Sequence, residues 1–297
     1  MEATGKTIGL VGAGLMGAAL AERLLAGGFR VLGFDIAPAR LAALRSLGGE
    51  GAGSAREVFE RARRVVLSLP ASDDVRSVLS EAEGALRPGH LVVDTTTGDP
   101  RAAEERGREL ERSGAAYLEA PISGNSDEVR RGEVLVLAGG PEAAYEACRD
   151  IFATFARRTW RIGAWGAASM MKLTTNLVLG LHRAALAEAL SFARALGLDP
   201  ELALAVLREG PAYSRVMDVK GRKMLDRDFA PQARLSQHLK DVRLILEAGR
   251  EAGARLPLSE LHRRLLEQAE RAGLGALDNS AIAEVFRLRV EGDRDGE

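Results

Sequence analysis

The chain has 297 residues, with 41 Lys and Arg against 42 Asp and Glu, and aromatic residues make up only 4%. Near-neutral charge and scarce aromatic side chains argue against a nucleic-acid partner, which needs positive charge and stacking surfaces. A single cysteine and four scattered histidines predict a cytoplasmic protein with neither disulfide nor metal site, and no apolar run is long enough to span a membrane.

The first half of the chain alternates short β-rich runs with helical patterns, which is typical of βαβ units around a parallel sheet. Helices are predicted at 15–26, 38–47 and 100–113, the last preceded by Asp99 and with Pro100 at its first position. The predicted strands are 7–11, 30–34, 65–69, 91–94, 116–119, 134–138 and 158–162.

Strand patterns stop after residue 162. Residues 166–197 contain no proline and carry apolar residues all around the helical repeat, which predicts one long, largely buried helix. The predicted organisation is a doubly wound α/β domain over 1–162 and an all-helical domain over 163–297, in which 163–197 joins the two. The apolar excess of the helical half predicts that the protein forms oligomers.

A glycine-rich turn follows the first predicted strand and opens the first helix, with the sequence Gly12-Ala13-Gly14-Leu15-Met16-Gly17. The first glycine permits a tight turn, the second lets the backbone approach a pyrophosphate, and the third lets the helix pack on the strand. The helix N-terminus then offers N–H donors to the phosphates. These six residues are predicted to bind a dinucleotide.

The end of the second strand indicates which dinucleotide is bound. Asp35 stands where an acidic side chain accepts hydrogen bonds from a ribose 2′-hydroxyl and repels a 2′-phosphate, which favours NAD over NADP. Two features leave the choice open, because Asp35 can instead cap the helix near Pro38 and the charge of Arg40 can offset that of Asp35. NAD is therefore the predicted cofactor, with NADP less favoured.

Lysine is rare in this chain, with 5 Lys against 36 Arg. Lys172 and Asn176 stand one helical turn apart in the long predicted helix and project from one face. A lone lysine on a helix is usually a solvated charge. Here scarcity and apolar neighbours predict a partly buried lysine with a lowered pKa, which acts as general acid or base while Asn176 orients either the substrate or the lysine ammonium.

A second candidate contact follows the strand that ends at Glu119. In an open parallel sheet, ligands bind beyond the carboxyl ends of the strands. Ser123, Gly124 and Asn125 offer a hydroxyl and backbone N–H groups that suit a carboxylate. The same residues also suit a tight turn without a ligand, and the sequence leaves both interpretations open.

These motifs together resemble the β-hydroxyacid dehydrogenase family, the group that includes 3-hydroxyisobutyrate dehydrogenase and tartronate semialdehyde reductase. The resemblance covers nearly the whole chain. It implies a Rossmann-like domain and an all-α domain joined by a long helix, and NAD-dependent hydride transfer to or from a small carboxylate-bearing 3-hydroxy acid or semialdehyde. The matching segments are Ile8 to Gly17, Leu69-Pro70, Thr95 to Thr97 with Pro100, Glu119 to Gly124, Gly163, Gly166, Lys172, Asn176 and Lys240-Asp241.

The resemblance also implies a homodimer or homotetramer built on the helical half, and it implies roles for individual residues. Lys172 corresponds to the family's proton donor, and Leu69, Pro70 and Thr97 correspond to contacts of the nicotinamide half. Lys240 corresponds to a lysine that closes over cofactor and substrate. Without the resemblance, Lys240 would be interpreted as a solvated helix charge.

The chain departs from the family pattern Ser-Gly-Gly-x-x-Gly-Ala, because Asn125, Glu128 and Val129 replace its later glycines and its alanine. We expect Asn125 to project near the substrate and Glu128 to disfavour a plain carboxylate. Positions before Lys240 are also altered, to Ala233 and Gln237. The reaction type follows from the resemblance, whereas the usual substrates do not.

Three alternatives share parts of this pattern. Imine reductases have the same architecture but typically carry Asp or Tyr at the position of Lys172 and prefer NADP. A 6-phosphogluconate dehydrogenase shares the Lys and Asn but is usually longer. A catalytically silent NAD-binding module is the third, because a fold alone does not guarantee chemistry.

Overall fold

A computed structural model describes residues 6–287 and divides the chain into two compact units, Met1–Lys172 and Leu173–Glu297. The division falls inside one long helix, which begins in the first unit and continues into the second. Each unit has its own hydrophobic core. Across residues 6–287, none of the helices combines the length and the apolar composition that crossing a bilayer requires.

The first unit is built around a sheet. Its strands are β1 (Thr7–Val11), β2 (Arg30–Phe34), β3 (Glu50–Gly51), β4 (Arg64–Leu67), β5 (Leu91–Asp94), β6 (Ala116–Glu119), β7 (Ile122–Ser123), β8 (Val134–Gly139) and β9 (Ala156–Gly163). Their order is β3-β2-β1-β4-β5-β6-β8-β7, and β9 pairs with β8. The order in which strands are added to the sheet therefore reverses at β1, whose neighbours β2 and β4 lie on opposite sides of it. Open sheets bind ligands at such a switch point.

The sheet is mixed rather than wholly parallel. Strands β1 to β6 pair in parallel, with Ile8 opposite Val31 on β2 and Arg64 on β4. In contrast, β8 is antiparallel to both β6 and β7. A parallel return needs a crossover of a dozen or more residues, and the connection from Ser123 to Val134 is too short for one.

Helices cover both faces of this sheet. They are α1 (Leu15–Ala26), α2 (Pro38–Ser46), α3 (Ala55–Arg61), α4 (Ser72–Glu81), α5 (Pro100–Arg112), α6 (Ser126–Arg131), α7 (Glu142–Glu146), α8 (Arg149–Phe152) and the first turns of α9 (Ala167–Ala195). Along β4, Val66 belongs to one apolar cluster while Val65 and Leu67 belong to the other. Because successive side chains of a strand point to opposite faces, the sheet is doubly wound, as predicted.

The second unit is all-helical within the described residues. After α9 come α10 (Pro200–Glu209), α11 (Arg215–Asp226), α12 (Leu235–Glu251), α13 (Pro257–Arg271) and a 3-10 helix (Asn279–Glu284). Its core includes Leu239 of α12, Leu266 of α13 and Ile282 of the 3-10 helix. Gly210 follows α10, and Pro257 is the first residue of α13.

The long helix α9 is not buried on all sides, which corrects the prediction. Lys172, Asn176 and Arg183 lie on a buried face, whereas Val178 and Phe192 are exposed on the opposite face, Phe192 at 63%. Apolar residues all around a helix do not distinguish a core helix from one whose second face is left for another molecule.

Candidate active site

The glycine turn after β1 is shaped by close backbone packing. Gly12 has a φ of 94°, and a Cβ there would overlap the Ser68 carbonyl oxygen. A Cβ at Gly17 would overlap the Gly12 carbonyl oxygen. Both positions therefore exclude any larger residue, and the turn is held tightly between β1 and β4.

The middle glycine has the opposite surroundings. A Cβ at Gly14 would meet no protein atom within 4 Å. Gly14 is also the N-cap of α1, where no side chain accepts a hydrogen bond from the first helical N–H groups. The turn thus presents open space and helix N–H donors in one place, which fits the pyrophosphate of a dinucleotide.

Asp35 is buried directly after β2, and its carboxylate is hydrogen-bonded to the glycine turn. One carboxylate oxygen accepts from the Ala13 N–H at 2.8 Å, and the other accepts from the Ala37 N–H at 2.9 Å. Arg40 Nη1 lies 3.3 Å from the same carboxylate. Asp35 therefore fastens the glycine turn to the start of α2, and its negative charge is shared with a cation beside it.

The segments after β4 and β5 lie next to this turn in the strand order. The Leu69 N–H donates to Thr96 Oγ1 at 3.3 Å, which ties the two segments together. Pro70 and Thr97, the next residues of each segment, lie at the same carboxyl edge of the sheet. Contact of Leu69, Pro70 and Thr97 with a nicotinamide ring stays a prediction.

The turn after β6 is closed by its own side chains. Asn125 Oδ1 accepts from the N–H groups of Asp127 and Glu128 at 3.0 Å each, and Glu128 Oε2 accepts from the Asn125 N–H at 3.0 Å. This reciprocal pair is a capping box that starts α6. Gly124 precedes it with a φ of 149°, which only glycine adopts readily.

The capping box corrects the expectation for the substituted family glycines. The side chains of Asn125 and Glu128 are buried and directed into the turn rather than projecting from it. The carboxamide oxygen and the backbone N–H of Asn125 are both engaged there. Binding of substrate by Ser123, Gly124 and Asn125 stays a prediction, with fewer donors available at Asn125 than the sequence suggested.

Glu119 connects this region to α9, the helix that carries Lys172. Its Oε1 accepts from the Ala168 N–H at 3.0 Å, and its Oε2 accepts from Ser169 Oγ at 2.6 Å and from the Ser169 N–H at 3.2 Å. Burial raises the pKa of Glu119, although these hydrogen bonds lower it in part. A strand residue thus caps the start of α9, one turn before Lys172. In the sequence, Glu119 belonged to a matching segment, and nothing indicated that its side chain caps α9.

Replacing Glu119 with alanine should loosen the start of α9. The donors of Ala168 and Ser169 would remain buried without their acceptor, so we expect a loss of about 1–3 kcal/mol in the free energy of unfolding. Because Lys172 would also be less well placed, kcat should fall on the order of tenfold to a hundredfold. Urea unfolding and steady-state kinetics test this, with Glu105→Ala on the exposed side of α5 as control. Equal stability of the two variants would contradict the proposed capping.

Lys172 and Asn176 occupy consecutive turns of the buried face of α9, at 6% and 7% exposure. Asn176 Nδ2 donates to Asp241 Oδ2 at 2.9 Å, which fixes the orientation of the amide. Lys240 Nζ lies 3.4 Å from the other oxygen of Asp241. Asp241 therefore joins the two predicted residues of the second unit, a function that the sequence motif alone did not reveal.

Two histidines pack against α9 one turn beyond Asn176. The rings of His238 on α12 and His262 on α13 lie 5.2 Å apart, and a Cβ at Gly180 would lie 2.5 Å from an atom of each ring. Burial, and secondarily the charge of Arg183, lower the pKa of His262 to about 4. In the sequence these histidines were only scattered, because α12 and α13 bring together residues far apart in the chain.

The neutral, buried state of His262 predicts acid sensitivity. A group whose pKa is lower in the folded than in the unfolded state contributes stability above its unfolded pKa and loses it as the pH falls through the folded pKa. Between an unfolded value near 6.5 and a folded value of about 4, the loss from pH 7 to pH 5 is about 2 kcal/mol. His262→Gln should remove this part of the decline in urea unfolding. A variant that loses stability as steeply as the native chain would contradict it.

The structure groups the predicted site residues within each unit. In the first unit the glycine turn, Asp35 and the segments at Leu69 and Thr97 share the carboxyl edge of the sheet, while Glu119 caps the start of the helix that carries Lys172. In the second unit Asn176 and Lys240 meet at Asp241. Among the described side chains, no group of three or more His, Cys, Asp or Glu is arranged to hold a metal ion.

Two family models match consecutive parts of the chain. Residues 7–165 match the NAD-binding domain of 6-phosphogluconate dehydrogenase. Residues 166–286 match the NAD-binding domain of NADP-dependent 3-hydroxyisobutyrate dehydrogenase. Together they cover both compact units, and they meet just before α9.

Relatives of known name match over nearly their full length. L-threonate dehydrogenase of Cupriavidus necator is 32% identical over 95% of this chain and 96% of its own. 2-Hydroxy-3-oxopropionate reductase of Escherichia coli K12 is 28% identical over 95% of this chain and 97% of its own. The crystal structure of 3-hydroxyisobutyrate dehydrogenase from Salmonella typhimurium superposes with a TM-score of 0.88, at 29% identity, over 94% of this chain and 99% of its own.

Proposed function

Because the chain belongs to the β-hydroxyacid dehydrogenase family, we propose that Lys172 is the general acid and base of its reaction. The protein is an NAD(P)-dependent oxidoreductase that acts on CH–OH and C=O groups of small hydroxy acids or semialdehydes. The observation that supports Lys172 most is its burial on α9, at a helix start that Glu119 fastens to β6.

The first unit fits the dinucleotide that this reaction needs. Gly14 leaves room for a pyrophosphate beside the uncapped start of α1, while Gly12 and Gly17 hold the turn in shape. When bound, the nicotinamide ring supplies or accepts the hydride. We propose that residues 1–162 bind the cofactor and that residues 163–297 bind substrate and form the contacts between subunits.

The protein's own part in the reaction is proton transfer and positioning. In the reductive direction Lys172 delivers a proton to the substrate carbonyl oxygen, and in the oxidative direction it takes that proton back. Asn176, held by Asp241, keeps the substrate oxygen beside Lys172. Ser123 and Gly124 bind the substrate carboxylate, and Lys240 closes over cofactor and substrate.

We infer that NAD is preferred over NADP. The carboxylate of Asp35 lies at the end of β2, where it repels a 2′-phosphate, and this supports NAD. Arg40, 3.3 Å from that carboxylate, is the feature that favours NADP. Parallel titrations with NADH and NADPH should give a lower Kd for NADH, and equal Kd values would contradict the inference.

The reaction is tested by a screen of NADH oxidation against semialdehydes, oxo acids and cyclic imines. Reduction of a semialdehyde or oxo acid with a carboxylate is the expected result, since the relatives are named for L-threonate and 2-hydroxy-3-oxopropionate. Reduction of cyclic imines alone would favour an imine reductase. Tight NADH binding without turnover of any compound would favour a silent binding module.

We also propose a homodimer or homotetramer in the cytoplasm, assembled through the helical unit. Large apolar side chains are exposed on both α9 and α10, with Phe192 at 63% and Leu202 and Val206 at 62% each. Monomers rarely leave apolar patches of this kind open to water. Light scattering that finds a monomer would contradict the assembly.

A further inference from the structure

Three buried polar side chains form a hydrogen-bonded network beside the carboxyl end of β5. The hydroxyl of Tyr117 on β6 donates to Oδ2 of Asp94, the last residue of β5, at 2.8 Å. Arg106 of α5 donates from Nε to the same hydroxyl at 3.3 Å, and its Nη2 lies 3.8 Å from Asp94 Oδ2. All three side chains are buried. We call them the Asp94 network.

The charges of this network are matched. Burial, and after it the charge of Asp94, raises the pKa of Tyr117 well above its ordinary value, so the phenol stays protonated and donates. Arg106 supplies the positive charge that balances Asp94. A buried ion pair often adds no more stability than apolar residues of similar volume. Stability alone therefore gives little reason for this network, and what distinguishes it is the backbone that it holds.

The second oxygen of Asp94 holds the segment after β5. Oδ1 accepts from the Thr96 N–H at 2.9 Å. Thr96 Oγ1 in turn accepts from the Leu69 N–H at 3.3 Å, in the segment after β4. Through Thr96, Asp94 is therefore linked to both segments that are predicted to contact nicotinamide, the one with Leu69 and Pro70 and the one with Thr97.

Arg106 reaches the same two segments a few residues further along the chain. Its Nη1 donates to the Ser72 carbonyl oxygen at 3.4 Å, at the start of α4. Ser72 Oγ accepts from the Asp99 N–H at 3.0 Å. Segments 69–72 and 96–99 are thus joined to each other at both ends, and the network is hydrogen-bonded to each junction.

We propose that Asp94, Arg106 and Tyr117 are positioning residues for the nicotinamide half of the cofactor. The proposal rests on the proposed function, in which segments 69–72 and 96–99 contain the contacts of the nicotinamide ring. Hydride transfer requires a closely defined position of that ring, and a displacement of about 1 Å is enough to lower the rate about a hundredfold. The three side chains act through the backbone of the two segments, whose spacing they fix.

Tyr117→Phe tests the network by removing one hydroxyl. The ring stays, but Asp94 Oδ2 loses its donor and Arg106 Nε loses its acceptor. NADH is compared with ADP-ribose, which has the same adenosine and pyrophosphate but no nicotinamide. We expect the ratio of the Kd for NADH to the Kd for ADP-ribose to rise about threefold to tenfold. ADP-ribose depends on the glycine turn and Asp35, so its own Kd should change little.

Two further comparisons separate positioning from a general loss of stability. Tyr145→Phe is the matched control, since the Tyr145 hydroxyl is hydrogen-bonded to Thr159 and its ring packs against the other apolar cluster of the sheet. It should leave the ratio unchanged. Thr96→Val removes the acceptor of the Leu69 N–H, leaves the Asp94 network intact and should raise the ratio. Thr96→Ser keeps that acceptor and should retain the native ratio.

Several outcomes would overturn the proposal. One is an unchanged ratio in Tyr117→Phe, and another is an equal rise of both Kd values, which would make Tyr117 a structural residue of the whole unit. If Tyr117→Phe does not fold, the Thr96 variants decide, and equal ratios in Thr96→Val and Thr96→Ser would overturn it. Failure of the NADH oxidation screen would remove the proposed reaction, but the ratio is measured without substrate and would still decide the positioning role.

Discussion

Replacing Lys172 with methionine should lower kcat/KM by about 10²- to 10⁴-fold while the Kd for NADH changes little. Methionine retains most of the side-chain volume on the buried face of α9, but it removes the group that exchanges a proton with the substrate oxygen. The cofactor residues of the first unit belong to the glycine turn and the strand ends, which the substitution leaves intact. Steady-state kinetics and an NADH fluorescence titration measure the two effects.

Two further variants separate proton transfer from charge. Lys172→Arg keeps the positive charge but loses a readily transferable proton, so it should be nearly as impaired as Lys172→Met. Lys223→Met is the matched control. Lys223 lies on α11, forms an ion pair with Asp228 at 3.4 Å and has no part in the proposed chemistry. Near-normal turnover of Lys172→Arg would refute the acid–base assignment.

The sequence predicted the parts of the fold that follow from local patterns. Strands β1, β2, β5 and β6 have the predicted bounds, because short, largely apolar runs between glycine and polar residues leave few alternatives. The start of α5 was also predicted from local sequence. Asp99 accepts from the Arg101 N–H at 2.9 Å, and Pro100 occupies the first helical position. These features depend on neighbours only a few residues away.

The site was less predictable because its contacts join distant segments. Glu119 reaches α9 and Asn176 reaches α12, and neither pairing leaves a local signal in the sequence. The approach of His238 and His262 depends on the absence of a side chain at Gly180, which looks like any helical glycine until the helices are assembled. Residue types indicated the chemistry, and only the tertiary structure indicated which polar groups hold each other.

The turn after β6 illustrates how a local signal was misinterpreted. Asn125 and Glu128, three residues apart, are a capping-box pair at the start of a short helix. The resemblance directed attention to the glycines that they replace, so Asn125 was expected to project near the substrate and Glu128 to disfavour a plain carboxylate. The local pattern accounts for both residues here, because the Glu128 carboxylate and the Asn125 carboxamide accept hydrogen bonds from free N–H groups at the start of α6.

The second large expected effect concerns the glycine turn. Substitution of Gly17 should mainly reduce stability, whereas substitution of Gly14 should mainly weaken cofactor binding. A Cβ at Gly17 would overlap the Gly12 carbonyl oxygen, and backbone on both sides has little freedom to move. Gly17→Ala should therefore lower the free energy of unfolding by about 1–3 kcal/mol or more. Gly14→Ala should change it by less than about 0.5 kcal/mol, because a Cβ there meets no protein atom within 4 Å.

Cofactor binding should reverse this order. At Gly14 the added methyl group would occupy the space left for the pyrophosphate, so the Kd for NADH should rise about tenfold or more in a protein of unchanged stability. Urea unfolding without cofactor and an NADH titration on the same preparations distinguish the two effects. If Gly14→Ala bound NADH with native affinity, the pyrophosphate would not lie at this turn. A pyrophosphate bound beside Gly14 would collide with the added methyl group, so unchanged affinity would place it elsewhere.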